Sequence, residues 1–507
     1  MSNPHYTTDR AKRSLIEFIR GKGLSALAGI IFLLISVRML SQADFGSYVA
    51  AIALLEIFYL ATGFGLSTIA QRYVAEYRIK ADEATFLTFI RAILKRRALY
   101  ALAGAIIIGA IAGGAYTLGL ALPVIVNLPA FYGLLVLGCL ARYADEIFPA
   151  LLLQGYTQAL VLAAHLTRLG GLTYCFLKGV AVGLPEILAI ELAANALCAL
   201  AALYLLGRYL RMNAEATGEV DYRPAEMNAV ARRFYIVQLL GQLWSPNTGK
   251  LIVAERLGLA VTGAYGFIQS ITDMLRNYLP AYLLGNWLRP LMISRYLERR
   301  QLNEVNAMAS VMFKLSLMCI VPFSMFSLAG GELFIQWASG GKVSEGATLL
   351  TAFCLLLTLQ SLHVVIGMVT VTVEQPRASV VATLAACMAL PLCYIGAGWA
   401  GALGVTAGLC LGEIIWIAVA LATLGRQDIH VRFDIRGCML IVLAALPTYC
   451  AMLLLLHFVP HISAPVFSII GAVLAGLIAL ICFVIAKPFA NAERDFLKRL
   501  LPARFCY

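Results

Sequence analysis

The chain has 507 residues, 61% of them hydrophobic and 13% charged, with a mean hydropathy of +0.85 and a formal net charge of +12. A soluble domain carries roughly 25% charged residues, so a water-soluble fold is excluded, and the apolar runs leave no room for a large extramembrane domain. The basic excess sits in short segments beside those runs, which points to membrane topology and an anionic leaflet, not to nucleic acid.

Residues 1–22 are polar and basic and are read as a cytoplasmic amphipathic leader, not a cleaved signal peptide. Apolar stretches of about 20 residues, each able to cross a hydrocarbon core of roughly 30 Å, then recur along the chain. They are placed at 23–41, 45–69, 98–122, 128–153, 159–179 and 186–208, and again at 233–256, 261–287, 307–329, 347–373, 377–398 and 400–424. Two more follow at 435–458 and 464–486. The expected fold class is therefore all-α integral membrane, with about 14 transmembrane helices. Alternating these spans puts 30 of the 39 Lys and Arg residues on one side and four on the other, Arg38, Lys178, Arg256 and Lys342. Such a bias marks the richer side as cytoplasmic and places both termini there.

Sliding the chain against itself aligns Leu40–Tyr48 with Leu257–Tyr265. Without a gap, the same offset pairs Gly46 with Gly263, Tyr48 with Tyr265, Glu56 with Asp273, Arg72 with Arg289 and Arg78 with Arg295. Parallel repeats of this kind build secondary transporters whose site lies where the repeats meet. The expected organisation is a first lobe at 23–209, a cytoplasmic linker at 210–232, a second lobe at 233–424, two appended helices within 435–486 and a cytoplasmic tail at 487–507. The two lobes are pseudo-symmetric six-helix bundles.

Five basic residues fall inside spans: Arg142, Arg168, Lys250, Arg276 and Lys314. An ionisable group at the bilayer centre costs on the order of 3 kcal/mol or more, so it faces a bundle interior or an aqueous cavity. Arg142, Arg168, Lys250 and Arg276, with Arg38 near the outer end of the first span, are candidates for a cationic cavity. Guanidinium forks there suit phosphate oxygens. Lys250 follows Ser245–Gly249, a helix-breaking stretch whose unwound backbone could itself bind an ion. Glu56 and its repeat mate Asp273 are candidates for an ion-coupling site. The structural alternative for each is internal pairing, Arg142 with Asp145 or Glu146 and Asp273 with Arg276, or snorkelling for Arg38. Glu191, Glu255, Glu332, Glu374 and Glu413 receive no role, and His363 is read as a satisfied core histidine.

The 12 cysteines are scattered and read as small core residues. His457 and His461 lack a partner cluster, so no metal site is expected, and no phosphate-binding loop, HExxH or nucleophile elbow stands in a supporting context. No cofactor, no catalytic residue and no enzyme activity is expected.

The stretch Lys22–Tyr77 carries a leucine-rich first span ending at Arg38, the turn Ala43-Asp44-Phe45-Gly46-Ser47-Tyr48, the step Gly63-Phe64-Gly65-Leu66-Ser67 and the exit Arg72-Tyr73-Val74-Ala75-Glu76-Tyr77. In these features it resembles bacterial polysaccharide flippases of the O-antigen and exopolysaccharide type, from the superfamily that also holds lipid II flippases and multidrug extruders. Members often show an acidic then basic pair before the second turn, where this chain has Gly249-Lys250. The resemblance implies a V-shaped bundle of two lobes in the bacterial inner membrane. That bundle would flip an undecaprenyl-diphosphate-linked oligosaccharide to the periplasmic leaflet by alternating access, beside a polysaccharide polymerase and a chain-length regulator. Its rivals are a cation-coupled multidrug extruder and, from another class, a membrane-embedded polymerase or ligase.

Overall fold

The computed structural model describes residues 8–118, 124–212, 224–283, 285–299, 302–459 and 462–500. It is all α-helical over those residues, apart from turns and one 3-10 turn at Val124–Asn127. The helices are α1 (Thr8–Met39), α2 (Gln42–Ala61), α3 (Leu66–Lys80), α4 (Glu83–Thr117), α5 (Pro129–Ala150), α6 (Gln154–Leu177), α7 (Leu184–Met212) and α8 (Pro224–Gln242). They continue as α9 (Pro246–Leu257), α10 (Leu259–Arg276), α11 (Pro280–Leu283), α12 (Gly285–Arg299), α13 (Leu302–Ser339), α14 (Ala347–Thr372), α15 (Pro376–Ala386) and α16 (Ala389–Gly425). The last three are α17 (Ile435–Phe458), α18 (Ala464–Ala486) and α19 (Asn491–Leu500). Two compact units divide the chain, Met1–Gln242 and Leu243–Tyr507.

Local chemistry sets the helix starts. Ser41, Asp82 and Asp434 each accept a backbone N–H two or three residues into α2, α4 and α17, which satisfies a donor the first helical turn leaves open. Between α2 and α3 the chain turns through positive φ at Phe64 and Gly65, 45° and 77°. A Cβ on Gly65 would stand 2.4 Å from the carbonyl oxygen of Ala231 on α8, so this turn needs glycine for conformation and for space.

Among the described residues, ten helical runs are long and apolar enough to cross a membrane, and one of them, Pro376–Gly425, is 50 residues long. That run is a hairpin. Its backbone leaves the helical region at Ala400 and Gly401, and residues equally far from this point meet. A Cβ on Gly396 would lie 2.4 Å from the Gly404 carbonyl oxygen, Gly408 faces Cys393, Gly412 faces Ala389, and the Trp416 indole donates to Thr383 at 3.2 Å. Glycines at every fourth position let two backbones approach this closely. Its two arms match the spans expected at 377–398 and 400–424. Three expected spans missing from the apolar set are α5, the pair α8 and α9, and α10, which carry Arg142, Lys250, Asp273 and Arg276.

The repeat extends well beyond its first turn. Helices α2, α4, α5 and α7 begin at Gln42, Glu83, Pro129 and Leu184, whereas α10, α13 and α14 begin at Leu259, Leu302 and Ala347 and the second hairpin arm follows Gly401. Each start in the second series is displaced from its counterpart by nearly the offset that takes Gly46 to Gly263. One span departs from expectation. The stretch 233–256 is two helices separated at 243–245, with α8 in the first unit and α9 in the second. The break precedes Pro246, and residues 246–249 are helical: proline at the first helical position lacks only a donor the helix leaves open.

In the first unit, α8 is held by the Tyr235 hydroxyl, which donates to the Ala61 carbonyl at 2.7 Å. A core of Phe86, Phe89, Tyr143, Ile147 and Phe148 joins α4 to α5. In the second unit, α17 and α18 pack on α13, where the Phe326 and Phe467 rings stack 5.8 Å apart.

Candidate functional site

The first unit holds two polar networks at membrane-spanning positions. In one, Glu56 on α2 forms an ion pair with Arg142 on α5. Tyr59, one turn beyond Glu56, lies under the Arg142 guanidinium at 5.8 Å and the Arg97 guanidinium at 4.1 Å. Arg97, on α4, is wholly buried and donates to the Tyr59 carbonyl oxygen at 2.7 Å, at the negative end of α2. Glu146, one turn after Arg142, lies beside Tyr59 and Ser67. The sequence places Arg97 in a cytoplasmic connection, but α4 starts at Glu83 and carries it inward. No spacing signal marks it, because its partners stand on other helices, far away along the chain. The Asp145 side chain lies outside the described residues.

In the other network, Arg168 on α6 meets Glu191 on α7 at 2.9 Å, with the Glu191 side chain 3% exposed. The Tyr48 hydroxyl donates to Glu191 at 2.7 Å, Asn195 donates to its other oxygen at 3.3 Å, and the Arg168 guanidinium lies over Phe32. Glu191 is thus a buried carboxylate answered by one cation and two neutral donors, a role the sequence does not reveal. Arg142 and Arg168 are each matched to their own acid, one in either network. Arg38 is exposed in the last turn of α1.

In the second unit, Asp273 and Arg276 pair along α10 at 3.1 Å, and Gln269 donates to Asp273 at 3.5 Å. Asp273 borders a small cleft lined also by Pro246, Thr272 and Gln360. Lys250 is buried on α9. Its neighbour Gly249 faces the Tyr265 hydroxyl and Leu409, where a Cβ would stand 3.0 Å and 3.1 Å from them. Tyr265 is the repeat mate of Tyr48 and is wholly buried.

Two further groups emerge in this unit. Lys314 on α13 is wholly buried between Asp434 and Glu493, each at 2.6 Å. His363 on α14 meets Glu413 on α16 at 2.8 Å, and its ring stacks on Trp416 with centroids 3.6 Å apart. The hairpin brings Glu413 and Trp416 to α14, a proximity that their distance along the chain conceals. Among the described residues, no three His, Cys, Asp or Glu side chains could hold a metal ion; His461 lies outside those residues.

The model of a family described as polysaccharide biosynthesis protein matches residues 13–283, more than half of the chain. No curated protein matches the sequence. Among solved structures, the lipid II flippase MurJ in an inward closed conformation aligns over 95% of this chain and 100% of its own, with a TM-score of 0.63 and 14% identity. A multidrug resistance MATE family transporter of the MOP superfamily, in an inward-facing conformation, covers 82% of this chain and 98% of its own, with a TM-score of 0.53 and 13% identity. A Vibrio cholerae MATE transporter covers 84% and 99%, with a TM-score of 0.54 and 12% identity. At these identities the likeness is one of fold.

Proposed function

Because the chain belongs to the polysaccharide biosynthesis protein family, we propose that it flips an undecaprenyl-diphosphate-linked oligosaccharide from the cytoplasmic to the periplasmic leaflet of the bacterial inner membrane. Lobes at 23–209 and 233–424 would alternate access, with both termini cytoplasmic and a polymerase and chain-length regulator acting on the product. The observation that carries this reading is the set of intramembrane cations, Arg142 and Arg168 in the first unit and Lys250 and Arg276 in the second. A diphosphate and its sugars cannot cross hydrocarbon bare. Guanidinium and ammonium donors supply the charge-assisted bonds that replace water, while the prenyl tail stays in lipid. Arg38, exposed at the end of α1, is proposed to meet the same head group at the interface. Glu56 and Asp273 are proposed to bind or release the coupling ion as their arginine partners engage cargo.

A multidrug extruder selecting cationic drugs needs acidic groups in excess. Here Glu56, Glu191 and Asp273 are each matched to an arginine, which favours the anionic cargo.

Lys250→Ala combined with Arg276→Ala tests the assignment in a deletion strain. Each charge-assisted hydrogen bond is worth about 1.5–3 kcal/mol, so export of surface polysaccharide should fall at least about tenfold while the lipid-linked intermediate accumulates. Wild-type export from the double variant would refute the cationic site.

A further inference from the structure

We propose that His363 and Glu413 form a proton-binding site in the second unit, loaded and emptied in each transport cycle; the cycle itself rests on the reading above, the site does not. His363 Nδ1 and Glu413 Oε2 are 2.8 Å apart, on α14 and on the second arm of the hairpin. The Glu413 side chain is 6% exposed, whereas the His363 side chain keeps 27% of its surface accessible. Histidine changes charge near neutral pH, and a carboxylate this deep in a spanning helix is retained only with a partner that answers its charge. One proton shared between them makes the pair neutral, either as imidazolium and carboxylate or as imidazole and carboxylic acid. Losing that proton leaves a net negative charge inside the bundle.

The surroundings suit an imidazolium. Trp416 stacks on the ring with planes 12° apart, and Trp244 lies near-parallel at 5.6 Å and 18°. Indole faces attract a cation more strongly than the neutral ring. The position is also repeated: the offset that takes Gly46 to Gly263 takes Glu146 to His363, so both units place a titratable group at this point of equivalent helices. Among the described residues, the titratable groups that face the pair are Cys410 on α16 and Tyr282 on α11, both within reach of the Glu413 charge, and Cys387 after α15, which packs on the cluster that holds Trp244 and Trp416; Tyr282 is also within reach of Asp273 and Arg276 on α10. Lys314 on α13 is already engaged by Asp434 and Glu493. Proton release at the pair therefore changes the charge acting on Tyr282, on which Asp273 and Arg276 also act.

Protonated imidazole quenches indole fluorescence, so the full-length protein in nanodiscs reports its own titration. Acidification should quench the tryptophan emission with a single midpoint. His363→Gln should abolish that transition. Glu413→Gln should keep it but shift its midpoint, since the paired oxygen that shares the proton is replaced by an amide. A transition unchanged in His363→Gln, or a midpoint unmoved in Glu413→Gln, overturns the proton site. For coupling, His363→Gln should cut polysaccharide export at least tenfold in a deletion strain with its melting temperature in nanodiscs unchanged. Wild-type export from that variant overturns the coupling. A strain lacking the wild-type gene that exports normally overturns the flippase reading instead, and leaves the fluorescence result standing.

Discussion

Lys314→Met should destabilise the protein by about 3–5 kcal/mol, the cost of breaking a buried ion pair by removing one partner. The ammonium is wholly buried, 2.6 Å from both Asp434 and Glu493 and 2.9 Å from the Pro488 carbonyl oxygen. Glu493 is 4% exposed and also accepts from Ser310 and from the Ala490 backbone. Taking away the cation leaves that carboxylate in an apolar setting with neutral donors alone. The cluster ties α13 to the segment before α17 and to α19, so the loss should loosen the C-terminal end of the second unit. Thermal unfolding of solubilised protein should show a drop of the order of 10 °C, and adding Glu493→Gln to the same variant should restore most of it. Equal melting of the single and double variants would show that the buried charge is not what the ammonium answers.

The same cluster gives a pH dependence whose sign is determined. Burial opposes ionisation of Asp434, but the Lys314 ammonium and the Gly437 backbone N–H outweigh it and hold the carboxyl below its ordinary range. A lowered folded-state pKa contributes stability that is present above the ordinary carboxylate range and is lost as pH falls through the folded-state value. With a side chain 28% exposed, Asp434 contributes the smaller part of the cluster.

Gly404→Ala should cost about 3 kcal/mol, at the upper end for overpacking a core. The added Cβ would stand 1.9 Å from the Gly396 carbonyl oxygen. Backbone opposes it, not a side chain that can swing away, so the hairpin arms must part and disturb Glu413 and Trp416 further along. Gly367→Ala, with nothing within 4 Å of its Cβ on α14, is the control and should be neutral or slightly stabilising. Matching melts for the two variants would contradict the close approach.

Much of this architecture is legible in the sequence because its cause is local. Hydropathy alone locates α1, α2, α4, α6, α7, α13, α14 and the hairpin, since each must span hydrocarbon without help from its neighbours. The offset read from Gly46, Tyr48 and Glu56 predicts helix starts as far along as the second hairpin arm. Where polar residues interrupt an apolar run, the sequence is less informative: the break near Ser245 is visible, but its place before Pro246 depends on capping and packing. The candidate site is legible as residue types and not as pairs. Glu56 and Arg142, or Arg168 and Glu191, stand far apart along the chain, and only folding makes them partners. Asp273 and Arg276 are foreseeable as a pair because their spacing puts them one helical turn apart. Arg97, Glu191, His363 and Glu413 give no sign, since their meaning lies wholly in distant neighbours.

Carriage of a lipid-linked oligosaccharide across a bilayer by this chain can be measured in liposomes that hold undecaprenyl-diphosphate-linked oligosaccharide in the inner leaflet. Its appearance outside is read by a glycosidase that cannot cross. With the protein reconstituted, exposure should run well above the protein-free rate and fall back toward it for the variant combining Lys250→Ala and Arg276→Ala. Exposure at the protein-free rate from intact wild-type protein, in liposomes where it instead moves a cationic dye, would contradict a flippase and point to an extruder.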